Sequence, residues 1–415
     1  MAATATHQER SLRKREKRVL ALLGLPTLTL ALTITVITTY VPKLASKFTG
    51  STTVIGLIVG AEGFVALFVP LIVGSWSDRI DTRMGRRLPF LIAATPPLVG
   101  ALAVVGFVNS LAGIALAVFV FFLAYFVAYE PYRALYPDLV DDEIAARGQS
   151  TQAVWRGTGT GLALVGGGLL FGVSQSVPFV AAAFVAAVGM AAFVVASIKW
   201  RPKSRREGEA KSALEKARDL WAFIRDDGRL RAYLAANSLW ELSLAALKTF
   251  VILYITSGLG YSVFAAAAIV GAVALIVLLA APVSGWVADR FGSTAVMRAS
   301  LPVYGVGLLV PLFVRSPWVL GPLLPLIAFG GGVIMTLPYA MLIPLMPKGE
   351  HCALTGFYSL SRGIGVMLGP LLAGVAVSVL KGPLSSTHGY AAMWLVCSVS
   401  VLASIPFVGH IREEG

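Results

Sequence analysis

Charge is what this chain has least of. Asp, Glu, Lys and Arg make up 13% of its 415 residues, about half the share of a soluble globular domain. With 57% hydrophobic residues, a water-soluble fold is excluded and a polytopic membrane protein is expected. Cysteine is nearly absent. Cys352 and Cys397 both lie in or beside apolar runs, so no disulfide framework is expected. Histidine is scarce too: His7, His351, His388 and His410 sit in tails, loops or helix ends. No zinc-spaced His/Cys cluster, Gly-x-Ser-x-Gly elbow or P-loop occurs, which argues against zinc chemistry, nucleophile-elbow hydrolysis and ATP hydrolysis. Neither an enzyme nor a cofactor or metal is expected.

Acids are the scarcer sign, leaving a net charge of +13. That balance would suit a nucleic-acid partner, but the placement of the bases excludes one. Four of the 34 Lys and Arg lie on one side of the expected bilayer (Lys43, Lys47, Arg315, Lys381), and four lie inside apolar runs (Arg133, Arg156, Lys248, Arg362). The rest gather in the tails and in alternate loops on the opposite side. This asymmetry puts both termini in the cytoplasm of a cell (plasma or inner) membrane. The N-terminal tail leads into an apolar run with no small-residue cleavage site, so a retained first helix is expected.

Runs of about 20 apolar residues span a bilayer. The chain has twelve, at 19–41, 53–76, 89–108, 111–137, 150–174, 178–198, 230–256, 262–287, 297–314, 318–346, 352–380 and 389–410. The expected division is a basic tail (1–18), a six-helix bundle (19–198), a charged linker (199–229), a second six-helix bundle (230–410) and a short tail (411–415). Within the linker, Leu214, Ala217, Leu220, Trp221 and Ile224 share one helical face. It reads either as an interfacial amphipathic helix or as a mobile charged linker.

The bundles are copies. Gly74, Asp78 and Arg79 return 211 positions later as Gly285, Asp289 and Arg290. Pro131, Tyr132, Leu135 and Pro137 return as Pro338, Tyr339, Leu342 and Pro344. Arg156, Gly157 and Gly159 return as Arg362, Gly363 and Gly365. Repeated halves of this kind predict an all-α membrane protein, two pseudo-symmetric six-helix bundles with a site between them near mid-depth.

The loop Gly74…Asp78-Arg79…Gly85-Arg86-Arg87 resembles the signature between helices 2 and 3 of the major facilitator superfamily, with a longer spacing before Gly85. That longer form, running on to Pro89-Phe90, resembles the sucrose:proton symporters and the wider glycoside–pentoside–hexuronide:cation symporter group. Pro131-Tyr132-Arg133-Ala134-Leu135, with Asp138-Leu139 and Arg147-Gly148 after it, is similar to the helix 4 motif of that group. The resemblance implies solute transport by alternating access. It also implies a cytoplasmic gate built from Gly74, Asp78, Arg79, Gly85, Arg86, Arg87, Asp138, Asp289 and Arg290; the plainer reading of these charges is topology-setting. Gly365 to Pro370 resembles instead the Gly-x-x-x-Gly-Pro motif of antiporters.

Charges inside a bilayer cost at least about 2.5–3.5 kcal/mol each, so each needs a reason. Here they are Glu62, Glu130 and Glu241, with Arg133, Arg156, Lys248 and Arg362. Helical rise brings the three acids to similar depth. They are candidates for proton or cation coupling, and Glu130 is favoured because Pro131 loosens its helix and Arg133 is one turn away. The alternative is structural pairs that neutralise one another. Tyr129, Tyr132, Trp155, Asn237 and Trp240 lie within a turn or two of the charges, where rings could hold a sugar face or simply pack. The glycines between Gly157 and Gly168 read as helix-packing positions.

The expectation is a monomeric symporter in the lipid bilayer, coupled to H⁺ or Na⁺, carrying a sugar- or glycoside-like small polar solute. A proton-driven exporter of drugs or metabolites, and a non-transporting membrane sensor, are the alternatives.

Overall fold

The computed structural model describes residues 2–139, 145–198, 212–345 and 351–411, which are helical almost throughout and contain no strand. The first half is α1 (Ala2–Ala45), α2 (Thr52–Arg79), α3 (Leu88–Val105), α4 (Leu111–Leu139), α5 (Ala145–Gly161), α6 (Gly167–Val173) and α7 (Val177–Ser197). The linker holds α8 (Ala213–Asp226). The second half is α9 (Gly228–Leu253), α10 (Val263–Phe291), α11 (Ser293–Phe313), α12 (Pro317–Leu342), α13 (His351–Val379), α14 (Ala392–Ala403) and α15 (Ile405–His410).

Among the described residues, eleven helices are long and apolar enough to cross a membrane. The expected segment 150–174 differs in polarity, not in length. It is one rod, α5 and α6 joined by a π turn at Leu162–Gly166, and its first half carries Gln149, Gln152 and Arg156. Ala145–Val173 at 1.5 Å per residue reaches roughly 43 Å, ample for a bilayer. The π turn has a local use: Tyr40 of α1 donates a 2.5 Å hydrogen bond to the Leu164 carbonyl, an acceptor that the widened turn leaves accessible. Helix α1 begins at Ala2, so the expected tail continues the first membrane helix.

The halves build separate cores. One draws on α1 to α7, from Leu23 to Phe193. The other draws almost wholly on α9 to α15, from Leu230 to Ile411. They also repeat one neighbour pattern: α1 on α5 and α9 on α13, α2 on α4 and α10 on α12, α3 on α7 and α11 on α14.

Between the halves, α2 lies along α13, α6 against α10 and α1 against α9. The tightest approaches fall on the side away from the start of α1. A Cβ on Gly63 would stand 2.2 Å from the Met367 backbone nitrogen, so only glycine fits. Further out, Thr52 Oγ1 donates to the Gly374 carbonyl at 2.7 Å and meets Ser378 Oγ at 2.8 Å. Lys43 Nζ donates to Ser257 Oγ at 3.1 Å. The interface is therefore sealed on that far side by close backbone packing and neutral or single-charge hydrogen bonds.

The linker segment forms a helix. Ser212 and Glu215 make a capping box: the Glu215 amide donates to Ser212 Oγ at 3.2 Å, and the Ser212 amide to Glu215 Oε2 at 2.6 Å. These hydrogen bonds hold the Glu215 carboxyl below the usual carboxylate range. Leu214 and Trp221 are exposed on its surface.

Candidate functional site

The arrangement starts from how α13 is fixed. Asn237 Nδ2 donates to Ser361 Oγ at 2.7 Å, and Ser238 Oγ to the Ser361 carbonyl at 3.0 Å. Gly365 and Gly369 let α13 press on the Ser238 and Leu242 carbonyls of α9. The antiporter-like glycines thus act as a packing seam inside the second half. Ser361 pinned in this way sets the position of Arg362, the next residue.

Arg362 reaches two acids on different helices. Its Nη2 stands 4.0 Å from Glu62 Oε1 on α2, and its Nε 3.7 Å from Glu241 Oε2 on α9. Glu62 belongs to the first half, Glu241 and Arg362 to the second. One guanidinium therefore bridges the halves at mid-depth, just beyond the Gly63 seal. Glu130 pairs within its own helix, with Arg133 Nη1 3.7 Å from its Oε1. The Arg133 guanidinium lies 5.6 Å from the Tyr129 ring centre, and Tyr129 stacks on Tyr125 at 5.3 Å.

These groups surround a narrow cavity, lined by Glu62, Glu130, Arg133, Ser359 and Arg362 among others. Arg156 has an exposed side chain, and its charge acts through space on Tyr125 and Tyr129. Lys248 is also exposed, and its charge acts on Glu62.

Four expected contact residues point elsewhere. Tyr132 is buried, hydrogen-bonded to Thr27 and to the Leu23 carbonyl of α1. Trp240 is buried and donates from Nε1 to Ser404 Oγ at 2.7 Å. Asn237 Nδ2 is spent on Ser361, while its Oδ1 is buried without a hydrogen-bond partner among the described residues. The Trp155 indole rests on Gly24 of α1. All four tie helices together within one half, and the Tyr132 hydroxyl, the Trp240 indole N–H and the Asn237 amide N–H do so through the hydrogen bonds that buried polar groups need.

At the end of α2, Asp78 Oδ1 meets Arg87 Nη2 at 2.7 Å, and Arg87 also donates to Ser77 Oγ. Gly85 adopts φ +86° in a turn closed by Thr82 Oγ1 donating to the Gly85 carbonyl at 2.6 Å. The loop from Gly74 is thus fastened within the first half. Arg79, Asp289 and Arg290 are exposed and Arg86 half-buried; Arg290 lies 5.8 Å from the Phe291 ring. The Asp138 side chain lies outside the described residues.

The family model for MFS/sugar transport proteins matches residues 22–346, well over half of the chain. The chain belongs to that family. Solved structures agree on the fold. The major facilitator fold of a D-xylose-proton symporter superposes with a TM-score of 0.74 at 12% identity, covering 95% of this chain and 98% of that one. The nucleoside transporter NupG gives 0.75 at 16%, covering 95% and 99%. At such identities the likeness is one of fold alone. Among curated relatives, the multidrug resistance protein MdtG of Escherichia fergusonii is 28% identical over 164 residues, 39% of this chain and 38% of that protein. A multi-drug resistance efflux pump PmrA homolog of Lactococcus lactis is 26% identical over 178 residues, 42% and 43%. The match thus spans under half the length of these relatives. As a member of the MFS/sugar transport protein family, the chain has a transporter's fold and multi-pass membrane architecture.

Sequence reasoning did not find Tyr358 and Ser359. Ser359 lines the cavity. Tyr358 packs edge-on to Tyr339 at 5.6 Å, and the charges of Glu241 and Arg362 act on it. The signal was present in part: Tyr339 is the repeat of Tyr132, and Tyr358 lies one turn before Arg362.

Proposed function

We propose that this chain is a cation-coupled symporter, with the proton as coupling ion, moving a small polar solute of glycoside-like size across a cell membrane by alternating access. Both termini are taken as cytoplasmic on the strength of the charge asymmetry. The observation that carries the reading is the Glu62–Arg362–Glu241 bridge between the halves, beside the cavity. A carboxylate in that position is a charge that the protein can gain or lose as the cavity faces either side. Proton uptake on Glu62 removes one attraction between the halves, and solute binding compensates. The pattern alone favours Glu130 as carrier; the geometry favours Glu62 and Glu241, because Glu130 is paired inside its own helix.

The curated relatives named for drug resistance support a second reading, proton-driven export. Proteoliposomes separate the two. Solute added outside acidifies the lumen through a symporter and alkalinises it through an exchanger. No solute-dependent proton movement with any member of a broad panel overturns both.

A further inference from the structure

The repeat predicts where Arg156 should find a carboxylate, and none is there. Arg362 takes Glu62 from α2 and Glu241 from α9. Its repeat, Arg156 on α5, faces by the same pseudo-symmetry α10 and α1. The position on α10 equivalent to Glu62, by the 211-residue offset of that helix pair, is Val273, and the membrane span of α1 carries no acid. Among the described residues no carboxylate lies within ion-pair distance of Arg156. Of the two copies, only the second pairs its arginine with carboxylates among the described residues.

The arginines that do have partners hold them loosely. All three contacts stand at 3.7–4.0 Å, beyond the about 2.7–2.9 Å of a charge-assisted hydrogen bond. The side chains of Arg133 and Arg362 are 32% and 37% exposed, so their planar donor faces reach the cavity rather than being consumed by the acids. The cavity is lined by two acids (Glu62, Glu130) and two bases (Arg133, Arg362), and the charges of Arg156 and Lys248 act on Tyr129 and Glu62 beside it. The lining itself is charge-balanced, and each proton taken up by Glu62 or Glu130 leaves it positive. The stacked Tyr125 and Tyr129 rings stand beside the same guanidinium.

We propose that the solute is an organic anion, a small ring compound whose carboxylate is held in the forks of Arg156, Arg133 and Arg362 while its ring lies by the tyrosines. A planar fork matches a carboxylate with two parallel hydrogen bonds, which an ammonium cannot do. The proposal deepens the transport reading and rests on it. It also supplies a coupling route: a solute carboxylate competes with Glu62 and Glu241 for Arg362, so solute and proton favour each other's binding.

The test uses pairs that differ in charge but little in shape: nicotinate with nicotinamide, and glucuronate with glucose. Thermal unfolding of the full-length protein in lipid nanodiscs reports binding, and pyranine-loaded proteoliposomes report proton flux. The expected result is stabilisation by at least one carboxylate and not by its neutral mate. Arg156→Gln should weaken it by about tenfold or more with the unliganded unfolding temperature little changed, since no carboxylate pairs with Arg156 among the described residues. Arg133→Gln is the second variant. A neutral member that binds as well as its carboxylate, or a panel in which no carboxylate binds, overturns the anion assignment. If a neutral member binds and moves protons, the transport reading stands and only the anion assignment falls.

Discussion

Replacing Arg362 by Gln tests the bridge directly. At an effective dielectric of about 20, unit charges 3.7 and 4.0 Å apart attract by about 4 kcal/mol each. The Arg362 side chain is 37% exposed, so water screens much of this and leaves about 1–2 kcal/mol per contact. Arg362→Gln removes both contacts and leaves two mostly buried carboxylates facing each other, a loss of about 2–4 kcal/mol in total. A term of that size between the halves alters the balance of transport states by about 30-fold or more. Unfolding in nanodiscs should begin several degrees lower, and proton-driven accumulation should collapse. The double variant Arg362→Gln/Glu62→Gln should regain about half of the lost stability, because it removes one stranded carboxylate, yet should not regain accumulation. Wild-type stability and uptake in the single variant, or a double variant no more stable than the single, would refute the bridge.

Other substitutions separate the parts. Among the described residues, Glu130 pairs with Arg133 within α4 and not across the halves, so in Glu130→Gln accumulation in vesicles should fall less than with Glu62→Gln; the reverse order returns the coupling role to Glu130. Asp78→Asn loses the 2.7 Å pair with Arg87 and should slow transport several-fold while the protein still inserts and folds, as checked by size-exclusion profile and uptake rate. Gly63→Ala places a methyl against the α13 backbone, so a cysteine introduced at Thr52 should become reactive to a membrane-impermeant thiol reagent; unchanged protection contradicts the seal. Asp227 caps α9 by accepting from the Arg229 amide at 2.7 Å. Burial pushes its carboxyl up, but the Arg229 hydrogen bonds outweigh that and hold it below the usual range. Its stabilisation, about 1 kcal/mol, is therefore present above about pH 4 and lost as the pH falls through the lower folded value. The unfolding-temperature gap between wild type and Asp227→Ala should close on acidification.

Much of the fold was legible because a bilayer permits few solutions. Apolar runs of sufficient length must be helices, and the repeats at Gly74/Gly285 and Arg156/Arg362 revealed the duplication. The helix over Ala145–Val173 was legible by position, but its polar first half was not a composition signal. The charged site residues were legible for the same energetic reason: a charge in a membrane span demands an explanation. Their pairing was not. Arg133 and Glu130 are neighbours on one helix and could be joined on paper. Glu62, Glu241 and Arg362 lie on three different helices, each more than a hundred positions from the next, and only the α2–α13 packing through Gly63 and the α9–α13 packing through Gly365 bring them together. The aromatic residues misled because sequence gives proximity to a charge along one helix but not direction. Tyr132 and Trp240 turn away from the cavity to satisfy their polar atoms within the bundles.

The geometry of the ion pairs separates what must move from what must stay. Asp78 and Arg87 meet at 2.7 Å, and both belong to the first half, so the pair travels with its bundle and nothing in alternating access requires it to break. The Arg362 contacts cross between halves and stand at 3.7 and 4.0 Å. A tight, buried pair in that place would cost about 3–5 kcal/mol to strand, slowing each cycle by a factor of hundreds to thousands. A guanidinium shared loosely between two acids keeps the halves in register but can hand one contact to a proton or to a solute carboxylate without leaving a bare charge. The far-side seal follows the same logic, with glycine packing and hydroxyl hydrogen bonds from Thr52, interactions worth about 1 kcal/mol apiece that separate without stranding an ion.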